Sequence, residues 1–235
     1  MNATLEAMAQ ALFKSWFVDF DPVIDNALRA GNPIPAPLQQ RAETRRKALG
    51  ERSSSCVTTS KDGAGAPSLP DPHSHLFPAT FTHSEDLGLI PEGWVVVELA
   101  DLATVKGGKR LPKGSTLTDE TTNHPYLRTK DITGTEIDIK NLLYVPDEVF
   151  SSISRYIVEK DDVVISIVGT IGLCCQITEE LHLASLTENC AKITSIDTSK
   201  ISQNYLFSFL ISSEVKGEVQ RRTVGSTQPK FHYII

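Results

Sequence analysis

The sequence predicts an α+β protein in which an amphipathic α-helix precedes a strand-rich mixed domain. Apolar residues recur at helical spacing over residues 3–22, and the stretch that follows to residue 86 is mostly polar. From Leu87 onward, short apolar segments alternate with turn residues. A chain of 235 residues can hold one domain of ordinary size with such appendages. We therefore expect three parts, over residues 1–22, 23–86 and 87–235.

The first part is expected to be a single helix with one apolar face. Pro22 should end it, because proline cannot continue a helix. The polar region that follows offers little apolar surface to cover this face. We therefore expect the face to bind a partner helix, and packing against the chain's own domain is the alternative. The face consists of Leu5, Met8, Leu12, Phe13, Trp16 and Phe17.

The second part is predicted to be a polar linker with one possible short helix. Residues 31–38 are rich in proline, and residues 39–49 have helix-forming composition but almost no apolar residue. This composition indicates a solvated or flexible helix that ends at Gly50. His73 and His75 lie further along, and two histidines alone are more often loop residues than metal ligands.

The third part is predicted to be dominated by strands, with one late amphipathic helix over residues 201–219. A helical turn should follow Pro146. The chain stops soon after Lys230 without a closing element, which suggests truncation. Strands are predicted over residues 94–99, 126–132, 142–145, 162–168, 173–177 and 191–196.

Composition narrows the functional classes. A net charge of -6 and a pI near 5.5 argue against a free-standing, non-specific nucleic-acid binder, but they permit recognition by a local basic patch. No apolar run approaches the roughly 18 residues that span a bilayer, so a cytoplasmic location is expected. The cysteines are predicted to be small buried apolar residues, since they form no metal-binding or disulfide pattern. They are Cys56, Cys174, Cys175 and Cys190.

Catalytic motifs are weak throughout the chain. Residues 123–126, Asn-His-Pro-Tyr, resemble the Asn-Pro-Pro-Tyr loop that holds the target amine in amino-methyltransferases. His124 departs from that pattern, and no glycine-rich cofactor loop precedes it. Residues 107–110 are not a Walker loop, because the glycine and hydroxyl positions do not match. We predict no catalytic, cofactor or metal site.

Basic residues on loops are the remaining functional signal. Residues 106–115, KGGKRLPKGS, combine cations with glycines that would let the loop approach a phosphate backbone closely. Ordinary solvated surface charge is the alternative. The predicted DNA contacts are Lys106, Lys109, Arg110, Lys113, Arg128, Lys130, Arg221, Arg222, Thr227, Gln228 and Lys230.

Three stretches, read together, resemble the DNA-specificity subunit of type I restriction–modification systems. LEAMAQALFKSWFVDFDPV, residues 5–23, resembles the end of that family's spacer helix. Residues 75–114 resemble the start of a target recognition domain. The body and exit of such a domain are matched by KDDVVISIVGTIG, LTENCAKI and VGSTQPK, at residues 160–172, 186–193 and 224–230.

The resemblance implies a non-catalytic protein whose recognition domain reads one half of a split DNA target. In the family, two such domains are separated by two helices that form an antiparallel coiled coil. The first helix would then be of coiled-coil type, and residues 87–235 would run into the truncated start of a second conserved helix. Only one recognition domain is present, so the chain is expected to be a fragment, a truncated product or a half-size subunit.

The resemblance also implies partners. These are double-stranded DNA, modification (methyltransferase) subunits, restriction subunits and possibly a second specificity half, with no membrane. S-adenosylmethionine, ATP and magnesium are expected in the partner subunits rather than in this chain. Two alternatives stay open: an amino-methyltransferase fragment that uses residues 123–126, and an assembly protein that does not bind DNA.

Overall fold

The structure, a computed structural model, describes residues 3–55, 73–223 and 232–234. It falls into two compact units, one up to Val96 and one from Val97 to Tyr233, with Ile234 grouped with the first. Helices dominate the first unit and short strands the second. The predicted α+β class is therefore confirmed.

The amino-terminal segment forms two helices instead of one. Helix α1, Ala3–Phe13, continues into a π-helical turn, Lys14–Val18, and helix α2 spans Asp21–Ala30. The prediction that Pro22 ends the helix is wrong. Proline has no N–H to donate, so it fits the first turn of α2, where that N–H has no intrahelical partner. The break occurs at Phe20, whose φ of 57° lies in the left-handed region.

An aromatic cluster surrounds this break within the first unit. The Phe17 ring lies 5.1 Å from Phe13, 6.1 Å from Phe77 and 6.0 Å from Trp94, measured between centroids. The Trp16 ring lies 5.7 Å from Phe77. These aromatic residues therefore pack against other residues of the same chain, which was the alternative to binding a partner helix.

Helix α3, Gln39–Ser55, follows a 3-10 turn at Ala36–Leu38 and extends past Gly50, where it was predicted to end. It is docked on α2 rather than fully solvated. Two arginines on α3 form paired side-chain hydrogen bonds to two buried aspartates on α2: Arg41 with Asp21 and Arg45 with Asp25. The residues of each pair are 20 positions apart, so local pattern could not reveal them.

The carboxyl-terminal part of the predicted linker also has structure. Strands β1, Phe81–Ser84, and β2, Gly88–Pro91, form an antiparallel hairpin that crosses the composition change at Leu87. The side-chain amide of Asn26 on α2 donates to the carbonyls of Ser74 and Phe77, 2.8 and 2.9 Å away. These bonds hold the entry to the hairpin against α2.

The second unit contains short strands and three helices. Its four-stranded antiparallel sheet has the order β10-β9-β12-β4, and a three-stranded sheet has the order β11-β5-β8. The remaining elements are β3 Val96–Glu98, β4 Thr104–Gly107, β5 Pro125–Leu127, β6 Ile132–Thr133, β7 Glu136–Ile137, β8 Leu143–Tyr144, α4 Asp147–Phe150, β9 Val163–Ser166, β10 Cys174–Gln176, β11 Ser185–Leu186, β12 Cys190–Thr194, α5 Gln203–Leu210, α6 Ser213–Thr223 and β13 His232–Ile234.

Two predicted elements of this unit are interrupted within their expected ranges. The strand predicted over residues 126–132 ends at Leu127, because the Asp131 carboxylate accepts from the Arg128 N–H and closes a 3-10 turn. The helix predicted over residues 201–219 is divided into α5 and α6. Ser212 lies between them, and its hydroxyl accepts a hydrogen bond from the Val215 N–H at the start of α6.

The core of the second unit lies between the sheets and includes cysteines. Cys174, Cys175 and Cys190 are buried and free, as predicted. Burial raises the pKa of Cys174 to about 12 and also raises the pKa values of Cys175 and Cys190. Cys56 lies outside the described residues. Among the described helices, none is long and apolar enough to cross a membrane.

Candidate nucleic-acid interface

One end of the four-stranded sheet brings three connections together. Because neighbouring strands are antiparallel, β4 and β9 end where β10 and β12 begin. From this end emerge the basic loop, residues 108–115, the tip loop, residues 167–173, and the anchor turn, residues 187–189, which leads into β12. Sheet topology thus places segments far apart in sequence at one edge.

The basic loop is fixed to the anchor turn through its backbone. The Gly108 N–H donates to the Cys190 carbonyl at 3.0 Å, and the Lys109 N–H donates to the Leu186 carbonyl at 2.8 Å. A Cβ atom on Gly108 would lie only 2.0 Å from the Thr187 carbonyl oxygen. The absence of a side chain at Gly108 therefore lets the loop lie against the chain's own backbone. The sequence instead predicts that the glycines let the loop lie close to a phosphate backbone.

Four predicted cations lie at this end of the sheet, and all are exposed. Lys106 is on β4, the edge strand, and Lys113 is on the basic loop. The Lys109 ammonium lies 5.9 Å from the centroid of the Tyr156 ring. Arg110 Nε donates to Glu188 Oε1 at 2.6 Å while its side chain stays 80% exposed. This hydrogen bond and the charge of Glu188 raise the pKa of Arg110.

Acidic side chains occupy the opposite end of the same sheet. They flank the starts of β4 and β9 and follow the ends of β10 and β12. The sheet therefore has a basic end and an acidic end, although the chain is acidic overall. The acidic residues are Glu98, Asp101, Glu159, Asp161, Asp162, Glu179, Glu180 and Asp197.

Arg128 was predicted to contact DNA from a strand face, but it lies just after β5 and begins a 3-10 turn, so its DNA contact stays a prediction. Its guanidinium makes two hydrogen bonds to the Asp131 carboxylate, at 2.8 and 2.6 Å, and one to the Asn141 carbonyl. The side chain is only 14% exposed. Arg128 therefore stabilises the turn that ends β5. Lys130, on the same turn, is exposed.

The remaining predicted contacts lie on α6 or beyond it. Arg221 is exposed, and its guanidinium is 2.6 Å from the Glu218 carboxylate. Arg222 is in the last turn of α6. Thr227, Gln228 and Lys230 lie outside the described residues, so their assignment stays a prediction.

The segment that resembles a methyltransferase loop is occupied by internal contacts. The Tyr126 hydroxyl is buried and donates to the Lys109 carbonyl at 2.8 Å. The His124 ring stacks on Phe150 at a centroid distance of 3.6 Å. Neither ring offers the open stacking surface that a target amine would need. This geometry does not favour the methyltransferase alternative.

Residues of the anchor turn and tip loop are functional candidates that the sequence did not reveal. Glu188 is 78 positions from Arg110, so no local spacing connects the two. The tip loop lies between two predicted strands, 162–168 and 173–177, but no pattern in the sequence showed that it lies at the basic end. Within residues 3–55, 73–223 and 232–234, no cluster of three or more His, Cys, Asp or Glu side chains is placed to hold a metal ion.

Comparison with known proteins connects this geometry to a family. The family model described as Type I restriction modification DNA specificity domain matches residues 91–232, which is more than half of the chain. The Type I restriction enzyme HindI specificity subunit of Haemophilus influenzae is 31% identical over 125 residues, which is 49% of this chain and 26% of that protein. The chain thus matches only about a quarter of that relative's length.

Solved structures show partial similarity. The crystal structure of the HsdS subunit from Thermoanaerobacter tengcongensis is 13% identical, with a TM-score of 0.46, covering 97% of this chain and 44% of that one. The type I restriction–modification S subunit from M. genitalium is 14% identical, with a TM-score of 0.34, covering 61% and 31%.

The specificity family is non-catalytic, and the enzymatic activities lie in partner subunits. The match to the family model spans the sheet with its basic end and both helices that follow it. The chain therefore belongs to the type I restriction–modification DNA specificity family.

Proposed function

We propose that this chain is the sequence-specific DNA-recognition component of a type I restriction–modification complex. It would direct adenine methylation and restriction by partner subunits without catalysing either reaction. The observation that carries the proposal is the segregation of charge along the four-stranded sheet. An acidic chain approaches DNA most favourably through a surface on which cations outnumber carboxylates, and the basic end, with four exposed cations beside Glu188, is such a surface.

The cations at the basic end are proposed to contact phosphates and to set the register of the protein on DNA. Lys106, Lys109 and Lys113 are exposed there, and Arg110 is held by Glu188 with most of its side chain accessible. The hydrogen bonds at Gly108 and Lys109 fix the loop backbone before binding, which reduces the entropic cost of association. Lys130 and the segment from Arg221 to Lys230 are proposed as flanking contacts.

The partners are proposed from the family and from helix α1. Leu5, Met8 and Leu12 are each more than half exposed and follow one another at spacings of three and four, so they form one stripe. We propose that this stripe packs against a partner helix in the complex with modification subunits. Restriction subunits and possibly a second specificity half would join that core. S-adenosylmethionine, ATP and magnesium would be held by the partners, in the cytoplasm.

Salt-dependent DNA binding tests the proposed interface. The Lys109→Gln, Lys113→Gln variant removes two exposed charges from the basic end, and the control Lys160→Gln, Lys200→Gln removes two from the acidic end. Affinity is measured against salt concentration with a duplex library and with the modification subunit present. We expect the first variant to lower the slope of log K against log salt by about 0.9 for each phosphate that the protein no longer neutralises. The control should keep the wild-type slope, and equal slopes for all three proteins would contradict the proposal.

A further inference from the structure

The tip loop presents two adjacent apolar side chains at the basic end of the sheet. Ile167 is 42% exposed and Val168 is 52% exposed, and both follow directly after β9. They form the end of the β9–β10 hairpin. Neither is needed to fill the core, which is formed by residues further along these strands, such as Val164 and Cys175.

The backbone of the tip loop is held in one conformation by hydrogen bonds. The Ser166 hydroxyl donates to the Thr170 carbonyl at 2.5 Å and accepts from the Leu173 N–H at 2.9 Å. The N–H groups of Ile167 and Val168 both donate to the Asn189 carbonyl, at 2.8 and 3.2 Å. Isoleucine and valine are also stiff about χ1. The two side chains are therefore presented with little conformational freedom, so ordering them on binding costs little entropy.

The surroundings of the tip loop favour DNA over a protein surface. The carbonyl that anchors it belongs to Asn189, and the preceding residue, Glu188, binds Arg110. The loop thus shares its anchor turn with the basic loop. An apolar tip flanked by cations complements a DNA groove, in which base edges lie between two rows of phosphates. The carboxylates that would repel phosphate are concentrated at the other end of the sheet.

We infer that the tip loop enters the major groove and reads thymine through its methyl group. The major groove admits a two-stranded β-ribbon, and contact between an apolar side chain and the C5-methyl is a direct way to recognise thymine. Ile167 and Val168 are the specificity-determining residues of this contact, while the cations of the basic loop contact the flanking phosphates. This inference rests on the proposed function.

The test compares thymine with deoxyuridine, which lacks only the methyl group. A target is first selected from a random duplex library with the full chain and the modification subunit. Each thymine of the selected duplex is then replaced in turn by deoxyuridine. For the wild-type protein, we expect the affinity to fall about fourfold at one or two positions, the effect of one buried methyl-sized group.

The Ile167→Ser, Val168→Ser variant removes every methyl group from both side chains, so it leaves no apolar group to contact the thymine methyl. It should bind the thymine and deoxyuridine duplexes equally at those positions. Ile139→Ser is the matched control, because Ile139 is also 42% exposed and lies on another turn. The control should keep the full thymine preference of the wild type.

Three outcomes would overturn the inference. In the first, the selected target has no position sensitive to deoxyuridine. In the second, the double variant keeps the wild-type sensitivity. In the third, the double variant no longer co-purifies with the modification subunit, which would make the tip loop a protein contact. Failure of the proposed function looks different, because the wild-type protein would then select no target at all.

Discussion

At Gly108 the backbone of the basic loop lies directly against the anchor turn. The contact is between backbone atoms, so a side chain at this position cannot move aside. Neighbouring Gly107 has nothing within 4 Å of its would-be Cβ. A side chain therefore has room at Gly107 but not at Gly108, and only the tertiary structure distinguishes these two adjacent glycines.

The Gly108→Ala substitution should therefore destabilise the second unit by about 1–3 kcal/mol, because the anchor turn must shift to admit the methyl group. Gly107→Ala should change the free energy of unfolding by less than about 0.5 kcal/mol. Urea denaturation followed by circular dichroism measures both. Equal stability of the two variants would show that the loop and turn are not in close contact.

The pairing of α2 and α3 includes charged residues in addition to buried apolar residues such as Ile24 and Ala42. Although burial raises the pKa of Asp21, hydrogen bonds from Arg41 and Ser15 and the charges of Arg41 and Arg45 bring it below its ordinary value of 3.8. A carboxylate with a lowered folded pKa stabilises the folded state above its unfolded pKa. That stabilisation disappears as the pH falls through the folded pKa.

Asp21→Asn should lower the stability of the first unit at pH 7 by about 2 kcal/mol, since it removes charged hydrogen bonds to Arg41. It should also make unfolding less sensitive to acid between about pH 5 and pH 2. Both tryptophans, Trp16 and Trp94, lie in the first unit, so their fluorescence reports on it selectively. Glu43→Gln, which breaks an exposed ion pair with Arg46, should behave as wild type to within about 0.5 kcal/mol.

An unchanged acid response in Asp21→Asn would mean that Asp21 is not the titrating group.

Helix α3 also shows that a helix of polar composition is not necessarily solvated. Arginine and aspartate side chains can hold two helices together when each guanidinium meets a carboxylate in a two-bond arrangement. Sequence periodicity, which registers only apolar faces, does not detect this kind of packing.

At the scale of the whole molecule, the predicted partner-binding face divides into two. Phe13 is buried and Trp16 and Phe17 join the aromatic cluster of the first unit, whereas Leu5, Met8 and Leu12 stay exposed. The first group supports the fold of the chain, and the second is available to a partner. Substitutions in the two groups should therefore have different consequences.

Replacing Leu5, Met8 and Leu12 together by serine should leave thermal unfolding of the first unit unchanged and abolish co-purification with the modification subunit, because only the exposed stripe is altered. Phe13→Ala should instead lower the stability of the first unit by about 3 kcal/mol. Tryptophan fluorescence and co-purification measure the two effects separately. Retained co-purification of the serine variant would exclude the stripe as the partner surface.

The sequence by itself was enough to predict the α+β class, the buried cysteines, the basic loop and the family. These properties depend on composition, on the spacing of apolar residues and on local motifs, all of which can be recognised in the sequence alone. Strands such as β9 and β12 were recognised because their apolar runs are fully buried. The end of α1 was misplaced because Pro22 can begin a helix as readily as it can follow one.

Only the tertiary structure decided which residues meet. Antiparallel pairing of β4, β12, β9 and β10 places the basic loop, the anchor turn and the tip loop at one end and the carboxylates at the other. It also brings Glu188 to Arg110, 78 positions away in sequence, while the Arg110 side chain stays accessible. The physical reason is that strand pairing brings distant segments into contact, and the spacing of residues within one segment does not specify which other segment it will pair with.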